Sequence, residues 1–389
     1  MFQAQHSISL LFNANKVYDR QVIEGIGHYL QSSKVDWDIF LEEDFLTRLE
    51  HIDEWGGDGI IADYDDPAIQ QALTNSKIPV VGIGGSYSDE SAYPDVPYVA
   101  TDNFAVVQAA YEHLKHKGLE RFAFYGFPAD QNHRWAVERE LAIIKLCKAD
   151  GYHCSIYRGH LTSPETWQYS MNRLTDWIQR LSNPIGIISV TDARARHLLQ
   201  VCEHIGKLVP DNISVVGIDD DDIARYLSRI SLSSVTQGCF DMGFQAAKLL
   251  HHRLDHPTLK NRRVLVPPAG VSERQSTDFK ALKDPYVIQA MHYIRQNACR
   301  GIKVEQVVDY VGVSRSNLEQ RFKDGIDHSI HNEIHNEKLA KACKMLRESS
   351  VSTNEIAGIC GYPSLQYMYA VFKKHFSKTP KEYRCEKVP

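Results

Sequence analysis

Two stretches decide how the last hundred residues are read: Val304-Glu-Gln-Val-Val-Asp-Tyr-Val-Gly-Val-Ser-Arg-Ser-Asn-Leu-Glu-Gln-Arg-Phe-Lys323 and Thr353-Asn-Glu-Ile-Ala-Gly-Ile-Cys-Gly-Tyr-Pro-Ser-Leu-Gln-Tyr-Met-Tyr-Ala-Val-Phe-Lys-Lys374. Each offers a short helix, a glycine turn, and a second helix with a polar outer face and a basic end. That is a helix-turn-helix pattern, and two on one chain can read two major-groove segments on one side of a duplex. In the first, Val304–Val311 reads as scaffold helix, Gly312 permits the turn, Ser314 can cap, and Arg315–Lys323 is the recognition helix. In the second, Ser352 or Thr353 caps the scaffold helix, Gly361 turns, Ser364 caps, and Leu365–Lys374 follows. A helix over Pro285–Asn297 opens the domain, with Val287, Ile288, Met291 and Ile294 at helical spacing, and Ile330–Arg347 joins the two halves. Leu318, Phe322, Tyr369 and Phe372 are expected in its core.

Outer positions of the recognition helices are the candidates for reading bases: Arg315, Ser316, Asn317, Glu319 and Gln320, then Ser364, Leu365, Gln366 and Tyr367. Arginine, asparagine and glutamine pair hydrogen bonds to base edges, whereas lysine and serine mostly hold phosphates. Arg321, Lys323, Lys373, Lys374, Lys378 and Lys381 are assigned to phosphate contact. Arg384 fits either that role or a structural salt bridge.

Charge supports a separate nucleic-acid module. Residues 286–389 hold 16 Lys+Arg against 11 Asp+Glu, a net +5, and the remainder holds 28 against 38, a net −10. Apolar content of 43% and charged content of 24% are ordinary for a soluble protein, and 389 residues imply two or three domains. No stretch has the length of a membrane span, and the amino terminus lacks a secretory pattern, so a cytoplasmic location without membrane partners is expected. The eight cysteines form no CxxC pair and show no metal-finger spacing, so no metal or cofactor is expected.

The preceding 270 residues alternate short apolar runs with amphipathic stretches. Strands are expected at Ile8–Phe12, Trp37–Leu41, Gly59–Ala62, Pro79–Ile83, Tyr98–Ala100, Arg121–Tyr125, His153–Tyr157, Gly186–Ser189, Ile213–Ile218 and Ser233–Val235. Helical patterns fall between most of them, which reads as parallel sheet in βαβ units, and ten strands suggest two lobes. Such sheets bind ligands beyond the carboxyl ends of their strands. There lie Asn13, Tyr18, Asp19 and Arg20, then Asp63, Tyr64 and Asp65, then Asp192 and Arg194, and Asp219. Carboxylates and amides bind vicinal hydroxyls, and an arginine fork holds ring or hydroxyl oxygens, so a neutral polyol fits better than a phosphate ester. Any one Asp before a helix can instead be only its N-cap.

Catalytic arrangements are absent from this pattern, and an enzyme is not expected. Gly82-Ile-Gly-Gly-Ser86 lacks the dinucleotide and Walker spacings and reads as a sharp turn after a strand. In Asp219-Asp-Asp-Asp222 the first is read as a ligand residue and the other three as helix N-terminal charge.

The body then becomes recognisable. Tyr98-Val-Ala-Thr-Asp-Asn103, His113-Leu-Lys-His-Lys-Gly-Leu-Glu-Arg-Phe-Ala-Phe-Tyr-Gly126, and Val209-Pro-Asp-Asn-Ile-Ser-Val-Val-Gly-Ile-Asp-Asp220 resemble LacI/GalR-type sensor cores, which are periplasmic-binding-protein-like. The resemblance implies Arg139 as an effector clamp and maps the family aspartate to Asp219. Asp192 or Arg194 is the polar residue after the preceding strand, and Ser233-Ser-Val-Thr-Gln237 brings Gln237 to the site. At the other end, Ile356-Ala-x-x-x-Gly-Tyr-x-Ser-x-x-Tyr-x-x-x-Phe-Lys-Lys374 with Lys378-Thr-Pro-Lys-Glu-Tyr-Arg384 resembles the AraC/XylS signature, with Ser377 where glycine is usual.

The expected architecture is therefore a two-lobed α/β sensor over 1–275, a linker over 276–285, and an all-α double helix-turn-helix domain over 286–389. Asn13-Ala-Asn-Lys-x-Tyr-Asp-Arg20 and Ser189-Val-Thr-Asp-Ala-Arg-Ala-Arg-His197 extend the likeness to regulators of pentose operons that join these parts in this order. That resemblance implies D-xylose as effector, activation of uptake and catabolic genes from double-stranded promoter DNA, contact with RNA polymerase, and a homodimer. The alternatives are a regulator or repressor responding to another pentose or hexose, and a carbohydrate-binding enzyme.

Overall fold

The computed structural model describes residues 6–41, 52, 55–128, 133–161, 163–257, 261–279, 282 and 284–385. Residues 280, 281 and 283 of the expected linker lie outside them. The chain divides into two compact units, Met1–Asp278 and Phe279–Pro389.

The first unit holds two six-stranded sheets. One has β1 (His6–Leu11), β2 (Trp37–Leu41), β3 (Gly59–Asp63), β4 (Val80–Gly85), β5 (Tyr98–Thr101) and β11 (Arg263–Val266), in the order β11-β5-β4-β3-β1-β2, all parallel. The other has β6 (Phe122–Tyr125), β7 (Cys154–Tyr157), β8 (Ile185–Ser189), β9 (Ile213–Ile218), β10 (Ser233–Thr236) and β12 (Gly270–Ser272), in the order β12-β10-β9-β8-β6-β7. Only β12 runs antiparallel there. β3, β4, β8 and β9 are buried at every residue, as helices on both faces demand.

The chain passes between lobes three times: from β5 into α3 (Asn103–His116), from β10 into α8 (Cys239–Asp255), and from β11 to β12. α8 thus returns to pack on the first lobe beside α1 (Val17–Ser33). Their backbones meet through glycine: a Cβ on Gly25 would lie 1.9 Å from the Phe240 carbonyl oxygen, and one on Gly243 1.9 Å from that of Val22. Below this crossing, Ile8, Ile61 and Val81 pack against Val22, Ile26, Met242 and Leu250. Each such side chain contributes roughly 1.5–3 kcal/mol by leaving water. The second lobe packs Ile187, Ile213 and Val215 against α5 (Trp167–Arg180) and α6 (Asp192–His204), while α4 (Arg134–Ala149) lies against β6 and β7.

Every expected strand forms, but β11 and β12 were not foreseen. They are short edge strands, and Pro267 and Pro268 directly after β11 masked their pattern. One helix also escaped, α2 (Pro67–Leu73), because it is too short to show a period, whereas α7 (Asp222–Leu227) is the helix expected after the acidic run. Gly82-Ile-Gly-Gly-Ser86 is mostly strand β4, not a sharp turn. Its glycines make room: a Cβ on Gly84 would lie 2.4 Å from the Tyr98 hydroxyl, and one on Gly85 2.7 Å from Asn103 Nδ2.

The second unit has seven helices among the described residues: α9 (Pro285–Asn297), α10 (Val304–Val311), α11 (Arg315–Ile326), α12 (Ile330–Glu348), α13 (Thr353–Ile359), α14 (Leu365–Phe376) and α15 (Pro380–Cys385). It is a repeat built twice. Gly312 and Gly361 make the turns at φ 74° and 68°. Ser314 and Ser364 cap α11 and α14 by accepting from the Asn317 and Tyr367 amides. Phe322 and Phe372 are each fully buried in their own core cluster. The core partner of Leu318 in the second half is Met368, while Tyr369 stays half-exposed, which corrects the expected core. Arg384 bonds the carbonyl oxygens of Leu346 and Val351, so its role here is structural.

Both recognition helices end on a non-glycine residue in the left-handed region, Asp327 at φ 63° and Ser377 at φ 58°. That conformation costs a residue bearing a Cβ roughly 1–2 kcal/mol. Ser377→Gly should therefore stabilise the second unit by about 1 kcal/mol in urea denaturation. A loss of stability would mean that the serine side chain compensates for its backbone.

Candidate effector cleft and nucleic-acid interface

The cleft is built where strands end and lobes join. α4 carries Arg139, a residue only 4% exposed. A buried cation needs partners, and it finds them on three elements. Nε donates to Asn103 Oδ1 at 3.0 Å, Nη1 to the Val190 carbonyl at 2.8 Å, and Nη2 to Gln237 Oε1 at 2.9 Å. Gln237 in turn donates to Asp219 Oδ1 at 2.7 Å. The Trp135 ring lies 4.8 Å from the guanidinium. Asn103 and Gln237 both sit on interlobe crossings, so one bonded chain, Asp219–Gln237–Arg139–Asn103, ties the second lobe to the hinge. Asn103 is 1% exposed, and its Nδ2 has no hydrogen-bond partner among the described residues. A buried donor left so is an invitation to a ligand oxygen.

The first lobe contributes acid. Asp19 accepts from the Asn13 amide at 2.6 Å, and Asp63 from the Asp65 amide at 3.0 Å. Lys16 Nζ lies 3.6 Å from Asp63. Burial, then the neighbouring Asp19 and Asp65, pushes the Asp63 carboxyl up to about 7 against the pull of Lys16. Burial likewise raises Asp219 to about 6, opposed by Arg139 and Gln237. Tyr18 donates to Met242 Sδ at 3.7 Å, and its hydroxyl is held neutral by burial. A site with this many buried carboxylates disfavours an anionic ligand. It suits one that brings hydroxyl donors to carboxylates and oxygens to Arg139 and Asn103.

Other expected effector residues take different places. Tyr64 turns into the first-lobe core, edge-on to Tyr98. Arg20 is exposed and donates to the carbonyls of Ala14 and Asn15, holding its own loop. Asp192 braces the second lobe, accepting from the Ser234 hydroxyl at 2.6 Å and the Asp221 amide at 2.8 Å. Gly217 leaves space for it: a Cβ there would lie 1.9 Å from Asp192 Oδ1. Arg194 bonds the Tyr125 hydroxyl and the His160 carbonyl and lies over the Phe127 ring. Of the acidic run, Asp221 caps α7, but Asp220 pairs with Arg274 at 2.6 Å and does not serve a helix. Asp219 and Asp220 both have positive φ, 122° and 54°, a strained stretch beside the cleft.

Sequence reading missed Asn103, Trp135 and Lys16 as site residues and left Asp65 among strand-end polars without a role. Asn103 was quoted only within a motif. Its position on a crossing, and Trp135's place beside Arg139, exist only once the lobes have folded together.

In the second unit, Ser316, Asn317, Gln320, Gln366 and Tyr367 are exposed, and Ser364 caps α14. Arg315 is exposed and pairs with Glu305 at 2.7 Å. Glu319 is half-buried. Leu365 packs on the second core cluster, so its assignment to base reading is corrected. Arg321 is corrected too: it pairs with Asp284 at 2.5 Å and lies over the Tyr286 ring, tying α11 to the start of α9. Lys323, Lys373, Lys374 and Lys381 are exposed, with Lys373 3.8 Å from Glu382, and Lys378 is half-buried. A groove of about 390 Å³ lies between the two helix-turn-helix halves, lined by Arg315, Tyr367 and, from α12, His335 and Lys338.

The raised Asp63 gives a test with a definite sign. The folded state binds this proton more tightly than the unfolded chain, whose aspartate titrates near 3.8. Ionised Asp63 therefore costs stability, a cost complete above its folded value and absent below the unfolded one. Asp63→Asn should make the chain more stable than the parent at pH 8, with the difference shrinking toward pH 5. Equal or lower stability at pH 8 would show that Lys16 fully compensates the buried charge.

Comparison with known proteins follows this geometry. A model for a XylR N-terminal domain matches residues 7–104, one for a periplasmic binding protein-like domain matches 111–277, and one for a helix-turn-helix domain matches 307–386. The AraC/XylS type expected for the C-terminal domain is corrected by the last match, which is to a helix-turn-helix domain. The xylose operon regulatory protein of Escherichia coli (strain K12) is 57% identical over 384 residues, 99% of this chain and 98% of that one. The protein of the same name in Haemophilus influenzae is 49% identical, over 99% of both chains. A solved structure titled xylose-binding transcription activator superposes with a TM-score of 0.91 at 56% identity, over 99% of both. None of the helices among the described residues is long and apolar enough to cross a membrane. With this identity over nearly its whole length, the chain belongs to the xylose operon regulatory proteins, and it is a sugar-responsive, DNA-binding transcriptional regulator and not an enzyme.

Proposed function

We propose that D-xylose binds between the lobes of residues 1–275 and switches how the helix-turn-helix domain of 286–389 meets promoter DNA, with 276–285 as linker. The observation that carries this reading is the buried chain Asp219–Gln237–Arg139–Asn103, which ends in an unpartnered amide donor. The sugar's oxygens accept from Asn103 and Arg139, and its hydroxyls donate to Asp63 and Asp219. Asn13, Tyr18 and Asp19 border the first-lobe side, and Arg194 with its aromatic partners the second. Ligand gathers both lobes only because it prefers the closed state.

On the DNA side, Arg315, Ser316, Asn317, Gln320, Gln366 and Tyr367 face base edges, and Lys323, Lys373, Lys374 and Lys381 face phosphates. Two copies of the chain bind direct-repeat half-sites and contact RNA polymerase to activate xylose uptake and catabolism, in the cytoplasm. The names of the relatives, which regulate a xylose operon or bind xylose, support this effector.

Titration calorimetry of the full chain against D-xylose, L-arabinose, D-ribose and D-glucose tests it. Saturable heat is expected with D-xylose ahead of the others. Arg139→Met should weaken it at least about tenfold, since a charge-assisted hydrogen bond contributes ~1.5–3 kcal/mol. Preference for another sugar would move the effector assignment, and no heat with any would remove it.

A further inference from the structure

Arg134 opens α4 on the second lobe, yet its guanidinium lies on the first. Nη2 donates to Asp65 Oδ1 at 2.5 Å and to the Gly85 carbonyl at 3.1 Å, and Nη1 to the Ser86 carbonyl at 2.6 Å. The guanidinium carbon sits 3.6 Å from the Tyr87 ring centroid. Asp65 is also fixed by the Gly85 amide, which donates to its other oxygen at 2.7 Å. One turn along α4, Glu138 accepts from the Ser88 amide at 3.3 Å and from the Ser88 hydroxyl. The approach needs glycine: a Cβ on Gly84 would lie 3.0 Å from Asp65 Cγ, and one on Gly85 3.1 Å from Trp135 Cβ. The Arg134 and Glu138 bonds thus join the two lobes by side chains, beside the β5–α3 crossing, where the Asn103 amide donates to the Ser86 hydroxyl at 3.2 Å.

We infer that Arg134 and Glu138 form a clasp that closes the two lobes before effector arrives, and that Arg134 thereby sets effector affinity through the fraction of molecules that is closed. Arginine suits the task because its planar fork reaches a carboxylate and two carbonyls at once while its face stacks on tyrosine. The link to affinity follows from population. When only the closed state binds well, apparent affinity falls in proportion to the fraction closed. The clasp raises that fraction without touching the ligand's own hydrogen bonds. The affinity half of the inference rests on the proposed sugar reading, and the closure half does not.

The test uses the full chain, with hydrogen exchange over residues 84–90 and 133–140 measured without sugar, followed by D-xylose titration. Arg134→Met should speed exchange in both segments and weaken D-xylose binding about tenfold or more, with saturating sugar restoring slow exchange. Glu138→Gln should move both readouts the same way by less. Because Ser88 is exposed on the rim, Ser88→Ala serves as a second variant should Arg134→Met fail to fold, and it should speed exchange at 84–90. Unchanged exchange at 84–90 in these variants would overturn the clasp. Sugar binding by Arg134→Met as tight as the parent's, or tighter, would overturn its control of affinity. If the parent binds no sugar, the exchange result still decides closure.

Discussion

The buried guanidinium of Arg139 is the constraint on which the sensor depends. A charge on so buried a residue is tolerable only if its surroundings are fixed to receive it. Here the surroundings are a crossing residue from each of two chain passages, a carbonyl at the end of β8, and an aspartate behind the glutamine. The demand propagates outward. Asn103 must start α3 where β5 leaves the first lobe, and Gln237 must precede α8 where the chain returns. The same residues that satisfy Arg139 are thus the ones around which the lobes hinge. A ligand that changes their bonding acts directly on lobe geometry.

Against this positive centre stand more buried carboxylates than cations can neutralise. Asp63 and Asp219 are raised toward neutral pH by burial and by their neighbours. Such a cleft is held in an unfavourable electrostatic state by the fold around it, including two consecutive residues of positive φ at the end of β9. Hydroxyl donors relieve that state where anions would worsen it, which is why the site's chemistry selects a neutral polyol.

Much of this was legible in the chain. Polar residues at strand ends announced Asp63 and Asp219, and the glycine and serine spacing announced both turns and caps of the helix-turn-helix repeat. What escaped depends on tertiary contact. Gly82, Gly84 and Gly85 read as a turn because sequence does not show that Tyr98, Asn103 and Trp135 crowd that strand end. Tyr64 and Leu365 lie next to candidate site positions, but their side chains face cores. Arg321 sits in a basic helix end, and only the fold brings Asp284 to it. Asp192 occupies a ligand position by its place after β8, yet its oxygens brace Ser234 and the Asp221 amide. A polar residue at a strand end is therefore a candidate whose role is settled by what faces it.

The central claim is that sugar in the cleft and DNA at the helix-turn-helix repeat are coupled through one chain. Coupling of binding is reciprocal by necessity. The most direct measurement is the affinity of the full chain for promoter DNA with and without saturating D-xylose, paired with its affinity for D-xylose with and without that DNA. The account predicts that each ligand tightens the other by the same factor. DNA affinity unchanged by saturating sugar, with the sugar demonstrably bound, would contradict it.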